Sequence, residues 1–271
     1  MPFPAVIPPR EVPPSSLLLD ARPGADLFAA GHLPGAVHAD LDRCLSLAKV
    51  PGADPARGGR HPLPSPAQWA AQLGAWGVTP ETPVVAYDDA AGGNGGARLW
   101  WMLRAIGHER AALLDGGLQA AMEEGLPGPG AILPPAPPYP GDRWLWPTVT
   151  LAEVDRLRLD PAWKVLDVRA RPRYRGETEP IDPVAGHIPG ALNLPYAENL
   201  DPRGRYKDPA DLRRIYEAFL AGTGPDHLVV HCGSGVTACH TLAALDRAGL
   251  PGAALYVGSW SEWCRNPMPR A

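Results

Sequence analysis

Hydrophobic positions along the chain fall into short continuous runs that are separated by turns or by segments with helical periodicity. The runs LLLD from Leu17, VVAY from Val84 and LVVH from Leu228 have the length of buried strands. Helical periodicity occurs in SPAQWAAQLGAWG from Ser65 and in PADLRRIYEAFLAG from Pro209. This alternation predicts an α/β fold with mainly parallel sheets and helices on both faces.

The same order of motifs occurs twice. LLLDAR from Leu17 recurs as KVLDVR from Lys164, and GHLPGAVHADL from Gly31 recurs as GHIPGALNLPY from Gly186. The first pair of strings predicts a buried strand, and the second pair predicts a Pro-Gly turn that leads into a short strand. Duplication of one domain is the simplest explanation for this repetition.

A Pro-rich segment over residues 127–147 separates the two copies. Its prolines fix φ and favour an extended chain, which predicts a semi-rigid linker. Trp144 and Trp146 are expected to hold this linker against a domain surface. We therefore predict one domain over residues 1–126 and a second over residues 148–271, a division that fits the length of 271 residues and the hydrophobic fraction of 45%.

Charge and composition exclude several classes of partner. The net charge of −4, without a run of Lys or Arg, argues against a nucleic-acid surface or an acidic lipid partner. No apolar stretch approaches the roughly 18 residues of a membrane span, and the Pro-rich start differs from a signal peptide, so a cytoplasmic location is expected. The cysteines show no C-x-x-C spacing, which predicts free thiols and no metal site. They are Cys44, Cys232, Cys239 and Cys264.

The sequence HCGSGVTAC after the strand at Leu228 carries the most specific chemical signal. It predicts a tight turn over residues 232–236, followed by a helix. Gly233 and Gly235 allow the backbone to curl, so that N–H groups and the helix N-terminus stabilise a thiolate. Cys232 is therefore predicted to be a nucleophile. Aligning VVAYDD of the first copy, from Val84, with LVVHCG, from Leu228, places Asp88 opposite this cysteine.

The paired GH[LI]PGA strings, the DGGL string and the loop CGSGVTAC together resemble the tandem-domain rhodanese family of sulfurtransferases, particularly its 3-mercaptopyruvate branch. The resemblance covers nearly the whole chain. It implies a catalytically silent first domain, which agrees with Asp88, and a second domain whose Cys232 alternates between thiolate and persulfide. It implies no metal and no organic cofactor.

The resemblance also implies roles for residues outside the cysteine. Ser234, with His61 in GRHPLP and Asp42 in HADLDRC, would form a relay that moves protons beside Cys232. The residues alone do not pair these side chains, because they lie in different halves of the chain. The implied substrate-binding residues are Arg173 in RPRYRGETEPID, whose planar fork matches a carboxylate, and the loop residues Gly233, Gly235, Val236 and Thr237.

The expected donor follows from charges near the loop. The thiosulfate branch fills its loop with cationic residues, whereas this loop is neutral, which favours 3-mercaptopyruvate over thiosulfate. The mercaptopyruvate branch has a second arginine shortly after its EP dipeptide, but this chain has Ile181 and Asp182 there, and Arg175, Arg203 or Arg205 are the candidates to replace it. The expected acceptor is a thiol such as thioredoxin, or cyanide in an assay.

Two other functions are compatible with parts of the sequence. Cysteine-dependent phosphatases share a pattern H-C-x5-R, but Ala238 stands where that pattern requires arginine. A non-catalytic rhodanese-homology module would serve interaction or regulation, and the retention of Cys232, Ser234 and Arg173 counts against it.

Overall fold

The computed structural model describes residues 3–271, which form two compact units. Each unit combines most of one half of the chain with a short segment from the other half. Residues 47–63 belong to the second unit, and residues 202–206 belong to the first. Among the described residues, the first unit comprises residues 3–46, Pro64–Trp146 and Pro202–Tyr206, and the second comprises Leu47–Leu63, Pro147–Asp201 and Lys207–Ala271.

The first unit contains a five-stranded parallel sheet. The second helix starts at a local signal: Ser65 caps it and exchanges hydrogen bonds with Gln68 in a capping box. The strands are β1 (Val6–Ile7), β2 (Leu17–Asp20), β3 (Val37–His38), β4 (Val84–Tyr87) and β5 (Ala111–Leu114); the helices are α1 (Ala25–Ala30), α2 (Pro66–Ala75), α3 (Gly96–Ala105) and α4 (Gly117–Glu124), with a 3₁₀ turn at Pro9–Glu11.

The second unit contains another five-stranded parallel sheet. Thr150 and Glu153 form a capping box at the start of its first helix. The strands are β6 (Thr148–Val149), β7 (Lys164–Asp167), β8 (Leu192–Asn193), β9 (Leu228–His231) and β10 (Ala254–Tyr256); the helices are α5 (Leu151–Leu157), α6 (Arg171–Tyr174), α7 (Pro209–Leu220), α8 (Ala238–Arg247) and α9 (Ser259–Trp263), with 3₁₀ turns at Tyr196–Asn199 and Pro225–His227.

The two sheets have the same topology. Their strand orders, β1-β5-β4-β2-β3 and β6-β10-β9-β7-β8, correspond strand by strand, which confirms the predicted α/β fold with parallel sheets. Asp20 pairs with Tyr87 in the first sheet, and Asp167 pairs with His231 in the second. The residues that follow β4 and β9 are Asp88 and Cys232, so the predicted alignment of these two positions is confirmed.

A buried Asp-Arg pair explains why the repeated strings recur together. Nη2 of Arg169 lies 2.6 Å from Oδ2 of Asp167 and donates to the carbonyl of Gly186, the glycine of GHIPG, at 2.8 Å. In the first unit, Nη2 of Arg22 likewise donates hydrogen bonds to Oδ2 of Asp20 and to the carbonyl of Gly31. Each arginine therefore connects a strand end to the neighbouring Gly-His-x-Pro-Gly turn.

Tryptophans form much of the packing in both units. In the second unit, Trp260 and Trp263 of α9 are fully buried in the core. In the first unit, Trp146 packs edge-on against Trp100 with ring centroids 5.4 Å apart, and Trp144 packs against Trp101 at 6.0 Å. The prediction that Trp144 and Trp146 hold the linker against a domain surface is confirmed. Over residues 3–271, no helix combines the length and the apolar character needed to cross a bilayer.

Candidate active site in the second unit

Cys232 lies at the carboxyl end of β9 and is 1% exposed. Its N–H donates to Oγ of Ser259 at 3.1 Å, and its carbonyl accepts from the N–H of Trp260 at 3.0 Å. The next carbonyl, of Gly233, accepts from the N–H of Ser261 at 2.9 Å. Helix α9 therefore fixes the backbone from which the cysteine side chain projects.

The loop after Cys232 has the tight turn that its glycines predict. Gly235 adopts a φ of 74°, and a Cβ at this position would collide with the carbonyl oxygen of Val257. Glycine is therefore required there both by conformation and by space. Val236 is buried, and Thr237 immediately precedes α8.

Two of the three predicted relay residues lie together in the second unit. Nδ1 of His61 is 2.8 Å from Oγ of Ser234, although 173 positions separate them in the sequence. His61 reaches this site because residues 47–63 pack with the second unit. Asp42 lies in the first unit, where it is half-buried and its N–H donates to Oδ1 of Asp40. His61 and Ser234 can exchange a proton directly at this distance.

Arg173 lies beside the loop and is held by a buried carboxylate. Its Nε and Nη2 donate to the two oxygens of Glu179 at 3.2 and 2.6 Å. Burial opposes the charge of Glu179, but Arg173 and the backbone N–H groups of Asp182 and Ile181 outweigh it, so the pKa of Glu179 lies below its usual value. The fork of Arg173 is thereby oriented with 19% of the side chain still exposed.

A second arginine, Arg60, flanks the same loop. Its Nε lies 3.2 Å from Oδ1 of Asp182, which also accepts from Nη1 of Arg265 at 2.8 Å. A Cβ added to Gly233 would lie 3.0 Å from Nη2 of Arg60 and 3.4 Å from Nη2 of Arg173. The two guanidinium groups therefore border the loop at one point, where a small carboxylate can contact both.

Arg60 differs from the candidates that the sequence offered for a second arginine. Arg175 pairs with Glu177 at the surface, with more than half of each side chain exposed. Arg203 and Arg205 belong to the segment 202–206 of the first unit. Arg60 was not predicted from the sequence. The signal that could have indicated it is its position directly before His61.

Arg169 places a buried positive charge behind the cysteine. Its side chain is 1% exposed, contacts Asp167 and Glu179, and lies over the ring of Trp260 with 4.9 Å to the centroid. Burial disfavours its charge, but Asp167 and Glu179 outweigh burial and raise the pKa of Arg169. Arg169 therefore stays a cation, close enough to Cys232 to interact with a charge on its sulfur.

The equivalent loop of the first unit holds a carboxylate. Asp88 is fully buried at the position that corresponds to Cys232. Its two oxygens accept hydrogen bonds from backbone N–H groups that curl around it, as the loop of an anion site does. The donors, at 2.7 to 2.9 Å, are Ala90, Gly92, Asn94, Gly95 and Gly96.

Replacing Asp88 by asparagine is expected to destabilise the first unit by about 2 to 3 kcal/mol, because the amide NH₂ would face donors and leave buried N–H groups unbonded. Asp89→Asn is the matched control, since Asp89 is half-buried and its carboxylate accepts from one side chain, that of Asn94. Urea unfolding followed by circular dichroism measures both variants. Equal stability of the two variants would contradict the interpretation of this loop as a filled anion cradle.

Comparisons with known proteins agree with this geometry. A family described as rhodanese-like domain matches residues 10–124 and 150–266. The chain is 44% identical over 270 residues to the "Probable 3-mercaptopyruvate sulfurtransferase" of Pseudomonas aeruginosa, with 94% of this chain and 91% of the relative covered. It is also 34% identical over 249 residues to the thiosulfate sulfurtransferase of Cricetulus griseus, with 88% of this chain and 79% of the relative covered.

A solved structure shows the same fold. The 3-mercaptopyruvate sulfurtransferase from Leishmania major superimposes with a TM-score of 0.82 at 31% sequence identity. The match covers 98% of this chain and 76% of the other.

Proposed function

The chain belongs to the rhodanese family, and we propose that it transfers sulfur from 3-mercaptopyruvate to a thiol acceptor through a persulfide on Cys232. Its relatives named for mercaptopyruvate or thiosulfate are sulfurtransferases, and the chain is one as well. The observation that carries the proposal is the meeting of Cys232, the His61–Ser234 pair and two arginine forks at one loop.

The first half-reaction forms the persulfide. The thiolate of Cys232 attacks the sulfur of 3-mercaptopyruvate, a new S–S bond forms, and the C–S bond breaks. The electron pair of that bond remains on carbon as the enolate of pyruvate. The proton of the substrate thiol passes through Ser234 and His61 to this carbon, which gives pyruvate and leaves the persulfide on Cys232. Arg169 and the loop N–H groups stabilise the anionic sulfur.

The second half-reaction discharges the sulfur. A thiolate acceptor attacks the outer sulfur of the persulfide, takes it as a new persulfide, and returns Cys232 as a thiolate. We propose a thioredoxin-type thiol as acceptor, because a dithiol can then release sulfide by forming its own disulfide. All four cysteines of the chain are free thiols. Because thiols stay reduced in the cytoplasm, this supports a cytoplasmic location.

Arg60 and Arg173 are proposed to bind the carboxylate of the donor. Both side chains are about one-fifth exposed, so a ligand can reach them, and both border Gly233 next to the nucleophile. The positive charge of these two arginines lies beside the loop, at the place where the carboxylate of a thiol substrate would bind. This supports a thiol with one carboxylate as the substrate. In this proposal the first domain carries no sulfur, since Asp88 fills the equivalent loop, and Asp42 as the third relay member stays a prediction.

Arg173→Ala is expected to raise KM for 3-mercaptopyruvate by about 10- to 100-fold with a smaller change in kcat, because a charge-assisted hydrogen bond to the substrate contributes about 1.5 to 3 kcal/mol. Arg175→Ala serves as the control, since that arginine pairs with Glu177 at the surface. Steady-state kinetics with varied donor separates the two parameters. Unchanged KM in Arg173→Ala would remove this arginine from the substrate site.

The donor is decided by measuring kcat/KM for 3-mercaptopyruvate and for thiosulfate with the same acceptor. We expect 3-mercaptopyruvate to be preferred by about tenfold or more, since its carboxylate and thiol fit the arginine pair and the nucleophile. A preference for thiosulfate would keep Cys232 as the sulfur carrier. The donor would then be thiosulfate, as in the name of the relative from Cricetulus griseus. Inactivity with both donors would favour a non-catalytic module.

A further inference from the structure

Helix α9 contacts the cysteine loop through its backbone. The N–H groups of Trp260 and Ser261 donate to the carbonyls of Cys232 and Gly233 at 3.0 and 2.9 Å. These bonds fix the start of the loop, and with it the place of the nucleophile, relative to α9.

Side chains of α9 contact a second part of the site, residues 58–61, which we call the histidine segment. Oγ of Ser261 accepts from the backbone N–H of Arg60 at 3.1 Å. Oε1 of Glu262 accepts from the backbone N–H of Gly58 at 2.7 Å. The histidine segment carries Arg60 and His61, so α9 is bonded to the nucleophile loop on one side and to the proton-transfer histidine on the other.

Both acceptors on α9 are themselves held in place. Ser261 is fully buried, and its hydroxyl donates to the carbonyl of Gly258 at 2.9 Å. The second oxygen of Glu262 accepts from the hydroxyl of Tyr256 at 2.9 Å. Burial raises the pKa of Tyr256, and Glu262 adds to this effect, so the tyrosine stays a neutral donor. The acceptors therefore have little freedom to follow a displaced segment.

The backbones meet closely between these two hydrogen bonds. Gly59 has a φ of 80°, and a Cβ there would collide with the carbonyl oxygen of Gly258 and lie 2.8 Å from Oγ of Ser261. A glycine at this position permits the approach on which the two hydrogen bonds depend. The histidine segment therefore packs directly against the turn that precedes α9.

We propose that Ser261 and Glu262 are positioning residues that set Arg60 and His61 relative to Cys232 and Ser234. The inference rests on the proposed function, because it assigns the two residues a part in the same reaction. Proton transfer requires hydrogen-bond distance between donor and acceptor, and a displacement of about 1 Å can cost on the order of 100-fold in rate. The two residues act through His61 and Arg60 and touch neither substrate nor sulfur.

Glu262→Ala is the variant that tests this role. We expect kcat/KM for 3-mercaptopyruvate to fall by about tenfold or more, with kcat reduced through His61 and KM raised through Arg60. Glu262→Gln is expected to recover much of the loss, since its amide oxygen can still accept from Gly58. Glu217→Ala is the matched control and should equal the wild type, because Glu217 lies half-exposed on α7 in a surface pair with Arg213.

A double-mutant cycle with His61→Ala separates positioning from general stability. If Glu262 acts through His61, Glu262→Ala lowers kcat by less than about twofold when His61 is already alanine. An equal loss of kcat in both backgrounds, or full activity of Glu262→Ala, would overturn the inference. If Glu262→Ala does not fold, Ser261→Ala decides by the same cycle, since it removes the acceptor for Arg60 together with one hydrogen bond to the carbonyl of Gly258. Absence of sulfur transfer in the wild type would instead contradict the proposed function.

Discussion

Cys232→Ser is expected to reduce sulfur transfer from 3-mercaptopyruvate by on the order of 10³-fold or more while the protein remains folded. Serine is nearly the same size as cysteine, so the hydrogen bonds of the backbone to Ser259 and Trp260 can persist. Its hydroxyl is not ionised near neutral pH and cannot accept sulfur as a persulfide. Steady-state pyruvate release with a thiol acceptor measures the loss.

Cys44→Ser is the control for this variant. Cys44 is half-buried in the first unit, and burial together with the nearby Asp40 raises its pKa, so it stays a thiol. Burial and Asp182 raise the pKa of Cys264 in the same way. We expect Cys44→Ser to retain wild-type activity. Residual activity of Cys232→Ser near that of the wild type would require another sulfur carrier.

His61→Ala is expected to lower kcat by at least about 100-fold, the lower range for loss of a positioned acid-base group. The physical reason is the 2.8 Å contact between Nδ1 of His61 and Oγ of Ser234, which supplies a route for the substrate proton. Removal of the imidazole leaves the enolate to be protonated by water. Single-turnover formation of pyruvate measures this step separately from discharge of the persulfide.

His227→Ala is the matched control for the histidine. His227 belongs to the second unit and lies at its surface beside Asp226, with 45% of its side chain exposed. We expect this variant to behave as the wild type. A single-turnover rate of His61→Ala equal to that of His227→Ala would show that another group protonates the enolate.

The fold and the nucleophile could be predicted because their signals are local. Apolar runs of three or four residues mark the central strands, and Gly235, with its positive φ, marks the turn after Cys232. The repeat placed Asp88 opposite Cys232 without knowledge of either sheet. Each of these inferences uses residues that are neighbours in sequence, where steric and hydrophobic preferences act directly.

The assembly around the cysteine could not be predicted from patterns, because it depends on contacts between distant residues. Gly58 and Glu262 are 204 positions apart, and Arg60 and Asp182 meet through an ion pair that no local spacing indicates. The first domain predicted from the repeat, residues 1–126, includes residues 47–63, whereas the structure packs these residues with the second unit. The pairing of His61 with Ser234 was expected only from the resemblance to a family.

The mass of the peptide that contains Cys232, recorded after mixing the protein with 3-mercaptopyruvate in the absence of an acceptor, tests the central claim most directly. We predict that this peptide gains the mass of one sulfur atom in step with pyruvate release, and that a thiol acceptor removes the added mass. Pyruvate release without modification of Cys232, or with the added sulfur on Cys44, Cys239 or Cys264, would contradict the claim that Cys232 carries the sulfur.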